Sequence, residues 1–166
     1  SYTLSRAIYQ CDEINGGNPY PAYSDRPHDF SVYLSWAFHR RFTLSTNFIY
    51  MTGAPFTTPT AFYYYYNHQV PIYAERNNSR LPDYHRLDLA LNWQLGKPEA
   101  KFKQELIFSV YNLYSRKNPV ALHFNKIEDQ NGNYVVPYNF YENAQLESTQ
   151  FYLYGIVPSI SYHFTF

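Results

Sequence analysis

From Phe30 to Phe38 every even position is large and apolar (Phe30, Val32, Leu34, Trp36, Phe38), whereas Ser31, Tyr33, Ser35 and Ala37 between them are mostly small or polar. Successive side chains of a β-strand point to opposite faces, so this alternation predicts a strand with one apolar face. After the short polar turn His39-Arg40-Arg41 the period resumes, with Phe42, Leu44, Thr46, Phe48 and Tyr50 on one side and Thr43, Ser45 and Asn47 on the other. Together the two runs predict a β-hairpin.

A second hairpin repeats the pattern. Leu87, Leu89, Leu91, Trp93 and Leu95 alternate with Arg86, Asp88, Ala90, Asn92 and Gln94, and a turn over Gly96–Lys101 leads to a return strand from Phe102 to Leu113. On that return strand Leu106, Phe108 and Val110 share one face, and Glu105, Ser109 and Tyr111 the other. The closing run sets Ile156, Pro158, Ile160, Tyr162, Phe164 and Phe166 against Ser159, Ser161, His163 and Thr165, and Tyr2 to Gln10 supplies a less regular strand. Six strands are predicted in all, and no segment reads as a helix.

Connections between the predicted strands alternate in length. Those over 11–27, 53–83 and 115–149 are long, and those at 39–41 and 96–101 are short. Transmembrane β-barrels have this asymmetry, with tight periplasmic turns and long extracellular loops. Trp36, Phe38 and Phe42 beside one short turn, and Trp93 and Phe102 beside the other, stand where a periplasmic aromatic girdle is expected. An open sheet leaves two edges unpaired in hydrocarbon, and single-chain barrels begin at about eight strands. The reading is therefore all-β: an antiparallel transmembrane β-barrel of which residues 1–166 form about six C-terminal strands. The chain opens in strand-like sequence without Met or a signal peptide, so further strands are expected upstream.

Composition agrees with strands and narrows the chemistry. Among 166 residues there are 20 Tyr and 13 Phe, while basic and acidic residues balance at 13 each. That balance and the lack of a basic stripe argue against a nucleic-acid partner. Cys11 is alone and cannot form an internal disulfide. His28, His39, His68, His123 and His163 lack metal-ligand spacing, and there is no phosphate loop, nucleophile elbow or zinc signature, so no enzyme, metal or cofactor role is expected. Asp83, His85, Arg86 and Asp88 cluster in sequence, but alternation sends Arg86 and Asp88 to one face and His85 to the other, whereas metal ligands converge. With Asn47, Asn92 and Glu105, Arg86 and Asp88 are expected to line a polar lumen. The run Tyr63, Tyr64, Tyr65 and Tyr66 is a candidate for stacking on a sugar or an aromatic chelate.

Several short motifs, in order, add a family likeness. Tyr2-Thr3-Leu4-Ser5-Arg6, Asp25-Arg26-Pro27-His28-Asp29, Thr52-Gly53-Ala54-Pro55, Arg80–Leu89, Val110-Tyr111-Asn112-Leu113-Tyr114, Asn118-Pro119 and Pro158–Phe166 span nearly the whole chain. In these the chain resembles the C-terminal barrel region of TonB-dependent outer-membrane transporters of the Bacteroidetes type. The resemblance implies a plugged barrel of about 22 strands that imports a metal chelate, vitamin or glycan, with lipid, the barrel assembly machinery, the TonB complex and surface lipoproteins or other outer-membrane subunits as partners. It also implies that Ile160, Tyr162, Phe164 and Phe166 form the assembly signal. Two other functions fit the residues: a structural or interaction subunit of an outer-membrane complex, and a secreted carbohydrate-binding β-sandwich.

Overall fold

The structure, a computed structural model, describes residues 1–66, 68–96, 102–125 and 147–165. Its strands in chain order are β1 (Tyr2–Leu4), β2 (Ile8–Tyr9), β3 (Tyr20–Pro21), β4 (His28–His39), β5 (Phe42–Met51), β6 (Pro55–Phe56), β7 (Ala61–Tyr65), β8 (His68–Ile72), β9 (Ser79–Arg80), β10 (Tyr84–Leu95), β11 (Lys103–Tyr111), β12 (Pro119–Asn125), β13 (Glu147–Tyr152) and β14 (Val157–Thr165). One 3-10 turn at Asn15–Gly17 is the sole helical element among the described residues.

Six of the strands form one antiparallel sheet in the order β1-β4-β5-β10-β11-β14. Each neighbour in space is the next main strand in sequence, so the sheet is a meander. Val32, Phe48 and Leu87 lie side by side across β4, β5 and β10, and Leu91, Phe108 and Ile160 do so across β10, β11 and β14. Their register confirms the apolar face that the period-two pattern predicts. One bulge interrupts the first hairpin, between Trp36 and His39. The sheet is open, with β1 and β14 as its edges, and no barrel closes among the described residues.

The long connections are more ordered than expected. They carry two-stranded ladders of their own: β2 with β3, β6 with β9, β7 with β8, and β12 with β13. All leave the sheet at one end, opposite the end at which β4 passes into β5 and at which β10 stops and β11 begins. The predicted strand Tyr2 to Gln10 is split, because Ser5 donates its N–H to Pro27 O and Ala7 donates to the Asp25 carboxylate, which turns the chain into β2. The return strand stops at Tyr111 rather than Leu113, since Asn112 takes a left-handed backbone with φ 54°. Most of the second turn, the Asp129–Asn133 stretch and Phe166 lie outside the described residues.

Neither face of the sheet is covered by the described residues. Among the described residues the only buried hydrophobic side chains are Tyr20, Ala22 and Ala54, all in the connections, while Leu34, Trp36 and Ile160 on the apolar face are 60–69% exposed. Among the described residues no second sheet is laid against this one; the substantial contacts between elements run between hydrogen-bonded neighbours.

Candidate functional site

Each main strand presents one polar face, and the five residues expected there share it. Asn47 on β5 stands opposite Asp88 on β10 and Tyr33 on β4. Arg86 and Asp88, two residues apart, form an ion pair at 2.9 Å. The Arg86 guanidinium also donates to the Tyr84 hydroxyl at 2.9 Å and the Tyr111 hydroxyl at 2.7 Å, and lies 4.1 Å from the centre of the Tyr111 ring. With its donors taken up in this way, Arg86 braces β10 against β11. Further toward the short turns, Asn92 donates to Glu105 at 3.2 Å across the same strand pair.

His85, on the opposite face, pairs through Nδ1 with the Tyr114 hydroxyl at 2.7 Å. The sequence cluster of Asp83, His85, Arg86 and Asp88 is thus dispersed into separate bonds. Among the described residues no group of three His, Cys, Asp or Glu side chains could hold a metal ion.

A second set of polar groups, not foreseen from the sequence, fastens the connections to the rim of the sheet. Asp25 is buried, accepts the Ala7 N–H at 2.7 Å and pairs with Arg80, which also donates to the carbonyls of Asp25 and Gly53 at 3.1 Å each. One oxygen of Asp83 accepts the Tyr50 hydroxyl at 2.7 Å and the other the Gly53 N–H at 2.9 Å. These two donors hold the Asp83 carboxyl below the usual carboxylate range, against an opposing push from burial and with further help from the nearby Arg116 charge. For Asp25 the largest influence, burial, pushes the pKa up; the Ala7 N–H and Arg80 outweigh it, and the net direction is down.

Four asparagines at the rim and in the connections use one device. A side-chain amide carries the same donor and acceptor as a peptide group, so it can pair with a backbone as a strand does. Asn118 accepts from His85 N–H at 3.1 Å and donates to His85 O at 2.9 Å. Asn112 does the same with Arg116 at 3.1 and 2.9 Å, Asn78 with Thr58 at 2.8 and 3.1 Å, and Asn15 with Arg76 at 2.8 and 3.3 Å. Asn15 thereby ties the first connection to the second, a link that Asn77 doubles by donating to Pro21 O at 2.7 Å. The motifs Asp25–Asp29, Thr52–Pro55, Arg80–Asp83, Asn112 and Asn118-Pro119 all fall in this rim.

The tyrosine run leaves the rim on the β7–β8 hairpin. Tyr63 and Tyr65 alternate with Tyr64 along β7 and are exposed, and Tyr66 follows in the turn, 81% exposed, with its ring edge-on to Tyr65 at 4.7 Å. At the far end of the chain, Ile160, Tyr162 and Phe164 alternate on β14 beside Phe108, Leu106 and Gln104 and are more than half exposed.

The short-turn end carries the aromatic cluster that the sequence placed there. Trp36, Phe38, Phe42 and Trp93 form a chain of ring contacts at 5.6–6.0 Å, and Phe102 stacks on Phe164 at 5.8 Å. No family model, curated protein or solved structure matches the chain.

Proposed function

We propose that the chain is a wall and loop segment of an outer-membrane β-barrel that imports a scarce ligand, such as a metal chelate, vitamin or glycan, with energy delivered by TonB. One observation carries the membrane half of this reading. The sheet bears an apolar, aromatic-edged face that nothing among the described residues covers, while its long connections leave it at the opposite end from that edge. In water such a face is a liability, whereas in a bilayer it is the requirement. The motif resemblance supports the transport half.

In this reading the apolar face meets lipid and the polar face, braced by Arg86 and Asp88, faces the lumen. The fastened connections stand outside the cell and hold β7–β8, with Tyr63, Tyr65 and Tyr66, toward arriving ligand. Ile160, Tyr162 and Phe164, with Phe166, present the signal for the assembly machinery. Capture and passage are non-covalent. Partner lipoproteins or other subunits would dock on the connections, and strands from the same polypeptide would close the two edges.

The test is to purify the native polypeptide from detergent-solubilised outer membranes, then determine its intact mass and peptide coverage. A chain several times longer than 166 residues, with a plug domain upstream, supports the proposal. A native species that begins at Ser1 and stays in solution without detergent overturns it.

A further inference from the structure

The charges of the chain, balanced overall, are not balanced along the strand direction. Among the described residues, the short-turn end carries Arg40, Arg41 and Lys103 against Glu105, so this end is net positive. Arg40, Arg41 and Lys103 are exposed, and no side chain among the described residues pairs with them. Glu105, the described carboxylate nearby, already accepts from Asn92 and sits on the polar face.

Flanking Arg40 and Arg41 in the first hairpin is the aromatic cluster. Trp36 and Phe38 are 66% and 48% exposed, and His39 lies against Phe42 at 5.7 Å. The Arg41 N–H donates to His39 Nδ1 at 3.2 Å, which leaves the ring proton on Nε2 as a further donor. Arg41 and Lys103 also border a hollow of about 170 Å³ at the rim, which they share with Gln94 and Glu105. An exposed aromatic belt followed within one or two residues by unpaired guanidinium groups is complementary to one ligand chemistry: an acyl chain ending in a phosphate. Rings of this kind settle at the junction of hydrocarbon and headgroup, and arginine donates to phosphate oxygens in pairs.

We infer that the short-turn rim, through Arg40, Arg41 and His39 beneath Trp36 and Phe38, binds the phosphate of anionic phospholipids in the leaflet that faces the short turns. The inference rests on the membrane reading above. It adds a lipid preference which that reading does not require. Its electrostatic part is local and screened by salt.

The experiment uses the full-length polypeptide reconstituted into vesicles of phosphatidylcholine alone and into vesicles with one third phosphatidylglycerol, followed by extraction and counting of co-purified lipid by native mass spectrometry. Retained phosphatidylglycerol should exceed its share in the vesicle. In an Arg40→Gln, Arg41→Gln variant this enrichment should fall about fivefold for each arginine removed, and in about 1 M salt it should vanish for the unaltered protein too. Insertion into pure phosphatidylcholine should be equal for both proteins, which shows that the variant folds. Unchanged enrichment in a variant that inserts normally overturns the lipid site and leaves the membrane reading standing. Failure of the unaltered protein to enter either vesicle overturns both. Enrichment that tracks the acidic soluble domains added as competitors, rather than lipid, assigns the cations to a protein partner and overturns the inference.

Discussion

The side chain of Asn118 meets the backbone of His85 on both sides, as acceptor at 3.1 Å and donor at 2.9 Å, across thirty-three residues of sequence. It extends the pairing of β10 one residue past the end of β11, which has already turned away at Asn112, and it anchors the start of β12. Asn118 is buried, so loss of its amide leaves a backbone N–H and carbonyl without partners. Asn118→Ala should therefore cost about 1–3 kcal/mol of unfolding free energy, measured by denaturant titration of the protein in detergent or lipid. Asn118→Asp should cost as much or more, because a carboxylate oxygen would replace the donor facing His85 O.

Gly53 makes a different kind of junction. A methyl group added at its Cα would stand 1.6 Å from the carbonyl oxygen of Leu81, so the two backbone segments would have to separate. The Gly53 N–H bond to Asp83 and the Arg80 bond to Gly53 O would separate with them. Gly53→Ala should destabilise by about 1–3 kcal/mol and open the segment between residues 53 and 83 to proteolysis. Gly96→Ala is the control: its Cβ meets nothing, and only the backbone at φ 80° resists, at about 1–2 kcal/mol. Limited trypsin digestion should therefore separate the two variants at equal stability.

The rim should also weaken in acid. Asp83 and Asp25 both have folded pKa values below the ordinary carboxylate value of about 3.9. Between the folded and unfolded values the unfolded chain binds more protons, so stability falls as pH falls there. What these groups contribute is complete above about pH 4–5 and is lost below it, as the folded carboxylates themselves take up protons. Chemical unfolding measured from pH 6 to pH 3 should trace this loss, and Asp83→Asn should flatten part of it. A protein equally stable across that range would remove the ionised rim from the account.

Phe48 and Asn47 are neighbours on β5 that face opposite ways, Phe48 beside Val32 and Leu87, Asn47 beside Tyr33 and Asp88. If the apolar face meets lipid, Phe48→Lys near mid-strand should cost about 2–4 kcal/mol when folding is followed in vesicles. Asn47→Lys, on the polar face and next to a carboxylate, should cost much less. Equal penalties would contradict the assignment of lipid and lumen faces.

What was legible in the sequence is what period two can write. The runs Phe30–Tyr50 and Arg86–Val110 carry a repeating face, and the register of β4, β5, β10, β11 and β14 follows from it. The ladders within the connections were not legible, because strands of two residues such as Ile8–Tyr9 or Pro55–Phe56 are too short to show a period. Nor were the asparagine pairings. The roles of Asn15, Asn78, Asn112 and Asn118 depend on backbones up to sixty-one residues away that no local pattern reveals. Alternation did separate His85 from Arg86 and Asp88, and the structure gives those side chains separate partners. The presence of an asparagine or aspartate is visible in a sequence; the backbone it will clasp is not.

Because the meander sends every elaborate connection to one end, the two ends of the molecule answer differently to insertion and deletion. Removing one residue from β10 would move its leucines to the polar face and its arginine to the apolar one, and the sheet would lose its register. Adding ten residues beyond Asn125 would lengthen a loop at a cost that grows only with the logarithm of its length. Such a chain can vary at its long-connection end while the sheet stays the same, so relatives should differ most in the lengths of the three long connections and hardly at all at Arg40-Arg41.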